Sequence, residues 1–155
     1  MRMLQLRNIV AASVVILTTA GCGGGDTADD AQRPRCIGVL NRIGAVLNLS
    51  SAVNANSSAQ IPEIKLSKIT HNGVALDLSY PGLYLSNANV AGMTLECTLA
   101  CGFSMTPGVY SFQVDAKGYK PLQMTVTAQY ALRSSDGCTT TESGGTSIAL
   151  VLEPE

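Results

Sequence analysis

Few side chains in this sequence could do chemistry, and they do not cluster. His71 is the single histidine, so a Ser-His-Asp or Cys-His relay would have to run through it. Its place before Asn72-Gly73 reads instead as a solvated turn position. Asp77, Glu96 and Asp115 fall on outward positions of separate alternating stretches. Two of them could converge as a carboxylate pair for acid–base work, but scattered carboxylates on strand faces ordinarily serve solvation. Gly23-Gly24-Gly25 and Gly144-Gly145 lack the strand-to-helix setting of a phosphate loop. The expectation is a chain with no catalytic set, no cofactor and no metal. A hydrolase working through His71 stands as the third of three functional readings.

Cysteine carries the remaining chemistry. Of the five cysteines, Cys97 and Cys101 have a spacing that zinc ligands use, yet Cys36 and Cys138 do not form a second close pair, so disulfides are the better reading. Cys97 and Cys101 lie on one side of an alternating run. On a fully extended strand they would be about 13 Å apart, too far to bridge each other.

Cys22 belongs to a targeting segment. Arg2 and Arg7 are followed by the apolar run Ile9–Leu17 and the small residues Thr19-Ala20-Gly21, the layout of a cleaved leader at residues 1–21. The apolar run is well short of the roughly 20 residues that span a bilayer. The Ala20-Gly21-Cys22 ending is similar to a bacterial lipobox, which implies a palmitate-type acylated Cys22 at the new N-terminus. At about 0.8 kcal/mol per buried methylene, several acyl chains would hold the chain to a membrane. Residues 22–35 have glycines, three aspartates and a proline but no apolar period, and read as a tether reaching about 20 Å. The expected location is the cell envelope, on the outer membrane and facing the periplasm or the surface.

Residues 36–155 must then carry the fold. A chain of this size buries about two-thirds of its unfolded surface, enough for one small core. The sequence has 10 Lys and Arg against 11 Asp and Glu, with no basic stripe for nucleic acid. Tyr110, Phe112 and Val114 alternate with polar neighbours, as do Leu122, Met124, Val126, Ala128 and Tyr130, which predicts two half-buried strands. The Asn72-Gly73 pair predicts a hairpin joining Ile64–Thr70 to Val74–Tyr80. Further strands are expected at Leu83–Val90, Met93–Cys101 and Ile148–Leu152, and one or two within Cys36–Leu49. Ser50–Gln60 and Ala131–Thr146 are small and polar and read as loops. The five tyrosines are expected in the core or at corners rather than as a sugar-stacking platform.

Pro107, Gly108 and Tyr110, followed by Ala116, Gly118, Tyr119 and Pro121, resemble the turn-and-strand signature of the carboxypeptidase regulatory-like, or transthyretin-like, domain. The resemblance covers roughly Cys97–Leu152. It implies an all-β, small antiparallel β-sandwich of about seven strands. Four cysteines allow three pairings, and with Cys97 and Cys101 expected to pair elsewhere the resemblance favours Cys101–Cys138 with Cys36–Cys97. The hydroxyisourate hydrolases of the same group depend on several histidines and a Tyr-Arg-Gly-Ser ending, neither present here, so their activity is not implied.

The sequence therefore points first to a non-catalytic envelope lipoprotein that acts as a binding or structural module. Its expected partners are the membrane, through Cys22, and an envelope protein or glycan. The second reading is a periplasmic inhibitor or partner-binding lipoprotein using Ser50–Gln60 or the stretch Ala131–Thr146, where Asp136 and Glu142 are the candidate contacts.

Overall fold

A computed structural model describes residues 38–136 and 138–155, so the leader, Cys22, the tether and Cys36 lie outside the described residues. The described chain is all-β, without a helix, as the alternating patterns predict. Its ten strands are β1 (Val39–Arg42), β2 (Leu47–Asn54), β3 (Glu63–His71), β4 (Val74–Ala75), β5 (Leu85–Ala91), β6 (Thr94–Phe103), β7 (Gly108–Asp115), β8 (Leu122–Ala128), β9 (Tyr130–Ser135) and β10 (Thr139–Leu152). They form one sheet in the order β1-β10-β2-β6-β3-β7-β8, with β4 on β3, β5 on β6 and β9 on β10.

Two features differ from an antiparallel arrangement of about seven strands. β10 runs parallel to both β1 and β2, so the sheet is mixed. Of the two stretches expected to be loops, Ser50–Gln60 runs in β2 as far as Asn54 and is a turn beyond it, whereas Ala131–Thr146 is largely the antiparallel hairpin of β9 and the first half of β10. Threonine-rich β10 has good strand propensity, and its polarity reflects exposure rather than irregular backbone. Glycine there serves packing, because a Cβ on Gly145 would collide with the carbonyl oxygens of Ala45 and Val46.

The sheet curls so that its far end returns to β10. Tyr119 bridges Pro154, Lys120 N–H donates to Glu153 O at 2.8 Å, and Gln129 N–H donates to Thr146 Oγ1 at 2.9 Å. Inside the curl, Tyr110, Phe112 and Val114 of β7 meet Leu47 and Leu49 of β2, Leu66 of β3, Leu95 and Phe103 of β6, and Leu150 and Leu152 of β10. Phe103 packs nearly perpendicular to Tyr110 and Phe112, with centroids 5.7 and 6.2 Å apart, the edge-to-face arrangement that aromatic quadrupoles favour. β8 contributes half-buried Leu122, Met124 and Val126, with Gln123, Thr125 and Thr127 facing solvent.

Local backbone chemistry interrupts the regular pattern at three places. The β3–β4 turn is Asn72-Gly73, with φ of 50° and 81°, as a two-residue hairpin requires. β4 then stops at Ala75 instead of running to Tyr80, since the Asp77 carboxylate takes Ser79 N–H at 2.9 Å and Ser79 Oγ–H at 2.6 Å, and this local turn outcompetes a ladder. In β3 an extra residue at Lys68, φ 53°, shifts the register against β7 between Ser67 and Thr70. The inward phase consequently passes from Ile64 and Leu66 to Ile69.

A further interruption, in β6, overturns the expected cysteine pairing. Cys97 is bonded to Cys101, with Cα atoms 5.7 Å apart, which excludes Cys101–Cys138 and Cys36–Cys97. The 13 Å spacing assumed even extension, and β6, although one strand, carries a wide bulge. Against β5 its register jumps from Cys97↔Ala88 to Gly102↔Ser86. Four β6 residues, Thr98 to Cys101, thus oppose Asn87 alone. Asn87, at φ 49°, donates its side-chain amide to Ala100 O at 2.8 Å and fastens the bulge. Cys138 is also disulfide-bonded.

Candidate functional site

An open groove of about 800 Å³ lies where β3 and β7 part company. Lys65 is the last β3 residue in its direction to pair with β7, opposite Asp115. Beyond Asp115 the chain turns: Tyr119 N–H donates to Ala116 O at 3.1 Å, Gly118 adopts φ 81°, and the Tyr119–Pro154 bridge draws the turn toward the end of β10. β3 meanwhile continues back to Glu63 along β6. The floor of the resulting gap includes buried Ile61, Ile64 and Cys97. Its walls carry Glu63, Lys65, Glu96, Asp115 and Lys117, with Asn89, Thr98 and Tyr119 beside them.

Most of these charged groups are already engaged. Lys65 Nζ lies 2.8 Å from Glu96 Oε1, and that hydrogen bond, reinforced by the carboxylate charge, raises the ammonium pKa above its ordinary value. Asp115 accepts from Ser67 Oγ at 3.1 Å and from Gln113 Nε2 at 2.7 Å. Tyr119 Oη accepts from Asn54 Nδ2 at 3.2 Å. The side chains of Glu63 and Lys117 are exposed and have no ion-pair partner among the described residues. The groove thus offers an apolar floor, fixed polar walls and one unpaired charge of each sign.

Glu96 and Asp115, read from sequence as separate outward carboxylates, come to the two strands flanking Lys65. Asp77 remains apart in its own turn, where Ser79 lowers its pKa, through the hydroxyl first and then the backbone N–H. His71 stacks on Tyr110, with centroids 4.7 Å apart; its Nε2 is 3.1 Å from Pro107 O and 3.3 Å from Asn72 Nδ2. A Cβ on Gly108 would strike that imidazole, so the Pro107-Gly108 pair works here by letting the β3–β4 hairpin approach the start of β7.

The two candidate contacts in the β9–β10 hairpin are both engaged in holding strands together. Asp136 accepts the N–H groups of Thr139 at 2.6 Å and Cys138 at 3.1 Å, and these two bonds, Thr139 first, depress its pKa. Glu142 pairs with Arg42 Nε at 3.1 Å, tying β10 to β1. Neither lines the groove.

Sequence reasoning missed the groove because it is made by strand register. Its one local signal is the end of the β7 alternation at Asp115, followed by Ala116-Lys117-Gly118. No family model matches this chain, and neither curated proteins nor solved structures include a match.

Proposed function

We propose that this chain is a non-catalytic binding module of the bacterial cell envelope, anchored through acylated Cys22 and taking its partner, an envelope protein or glycan, in the groove beside Lys65. The observation that carries the binding half is the groove: a preformed concavity with an apolar floor and a few fixed polar groups, the usual composition of a ligand site. The anchor rests on Arg2, Arg7, the apolar run and Ala20-Gly21-Cys22. The Pro107-Gly108 and Ala116–Pro121 spacings support an accessory domain of the carboxypeptidase regulatory-like kind, with parallel pairing by β10 as a departure.

Mass spectrometry of the membrane-extracted protein tests the anchor. Acyl chains on Cys22 are expected, and an unmodified Cys22 would remove the envelope assignment; the same digest identifies the partner of Cys138. Amide-shift mapping with short glycan and peptide fragments tests the groove, with shifts expected among residues 61–65 and 115–119. His71→Ala should leave those shifts in place, whereas a hydrolytic activity lost with His71 would sink the non-catalytic reading.

A second reading places the partner on the ribbon of β1, β9 and the first half of β10. It is favoured by exposed Val39, Leu40, Ile43 and Leu132 there, the last 65% exposed. Leu132→Ser should then weaken capture of a partner without altering the groove.

A further inference from the structure

We infer that the ligand of this groove is an extended peptide, added as a strand to the edge of β3 at Glu63. The inference rests on the groove being the binding site and goes further by naming the class of ligand.

Hydrogen-bond parity on β3 carries it. Leu99 N–H donates to Pro62 O at 2.9 Å, so the Pro62 carbonyl points at β6. In a trans peptide the next N–H, that of Glu63, points the opposite way. Antiparallel rungs alternate sides along a strand. Glu63 therefore faces Thr98 in a pair without main-chain hydrogen bonds, and both its N–H and its C=O are aimed toward β7. Lys65↔Asp115 is the last rung there. Glu63 is the next, and Lys117, which would have answered it, has turned away with the Ala116–Tyr119 segment. The ladder has one open rung, and the space where its partner would run is the groove.

An extended peptide satisfies what is left open in a way other solutes do not. Its backbone supplies a donor and an acceptor at strand spacing for Glu63. Its alternate side chains fall on the apolar floor at Ile61 and Ile64 and on the solvent side, where Glu63 and Lys117 offer opposite charges. The only aromatic ring in the lining is Tyr119, so a stacking surface for sugar rings is poorly provided.

The test uses the full chain, isotope-labelled and titrated with a mixed library of acetylated hexapeptides, then with the best single sequence. The largest amide shifts are expected at Glu63 and within residues 115–119. Methylating the peptide nitrogen that meets Glu63 O should weaken binding about tenfold, the loss expected when one carbonyl is left without its donor. Glu63→Pro, which removes the N–H, should act similarly. Glu63→Gln, which keeps it, should stay within about threefold, because exposed charges contribute little. Should Glu63→Pro fail to fold, the methylated peptides decide alone. Binding indifferent to methylation, or a folded Glu63→Pro protein at full affinity, would overturn strand addition. Glycan fragments that shift the groove amides where peptides do not would overturn the peptide assignment and leave the binding site standing. If neither class moves those amides, the groove reading falls with it.

Discussion

The Tyr110 hydroxyl shows how one polar atom is accommodated in this core. The ring is fully buried, its O–H donates to Thr106 O at 2.6 Å, and Ser104 Oγ lies 2.7 Å away. Tyr110→Phe keeps the apolar packing but leaves Thr106 O without that donor and deprives buried Ser104 of a partner. The expected cost is about 1–2 kcal/mol, read from urea unfolding midpoints with an unchanged m-value. Burial pushes the Tyr110 phenol pKa up, against a smaller lowering by Ser104. A raised folded-state pKa means the contribution is intact below the unfolded value near 10 and is lost as pH rises through the folded value. Stability should therefore fall above about pH 10. Tyr110→Phe should flatten that fall without abolishing it, since Tyr130 is also raised, chiefly by burial. An identical alkaline slope in the variant would rule Tyr110 out as its source.

Elements were legible from sequence wherever alternation was unbroken. The inward set of β7 and the half-buried set of β8 follow directly from Tyr110–Val114 and Leu122–Val126, because period two leaves a strand no other way to bury one face. Bulges hide from the same reasoning. Lys68 changes the phase of β3 with a residue that carries no turn signature. The bulge Thr98–Cys101 sits inside what reads as one continuous alternation, so Cys97 and Cys101 looked too distant to bond. Their bridge closes a very short ring, worth about 2 kcal/mol on the chain-entropy account. A Cys97→Ala, Cys101→Ala double variant should lose about that much stability. The loss should concentrate locally, with faster hydrogen exchange at Asn87 and Ala88, where β5 meets the bulge, and little change at β7–β8. Uniform acceleration across the sheet would mean that the bridge supports the whole fold and not one irregularity.

At the scale of the molecule, topology was out of reach of the sequence because pairing is non-local. Nothing in Thr139–Leu152 announces that it will run parallel to β1 and β2, and the groove exists only because β3 outruns its ladder with β7. β10 nonetheless organises the whole: its first half carries the exposed ribbon with β1 and β9, and its second half is paired with β2 and contributes Leu150 and Leu152 to the core. Gly145 sits between the halves, where Thr146 N–H donates to Val46 O at 2.8 Å. A Cβ at Gly145 would lie 2.7 Å from Val46 O and closer still to Ala45 O. Backbone oxygens cannot rotate aside as a side chain can, so Gly145→Ala must part β10 from the Ala45–Val46 segment. The expected cost is about 1–3 kcal/mol, as for an overpacked core. Gly38 provides the control, with nothing within 4 Å of its Cβ position, and Gly38→Ala should stay within about 0.5 kcal/mol. Thermal melts of the two variants decide the matter: equal stability would mean that β10 is not pinned to the Ala45–Val46 segment at this crossing, and the ribbon would then have to be held by its strand pairing and its Arg42–Glu142 pair instead.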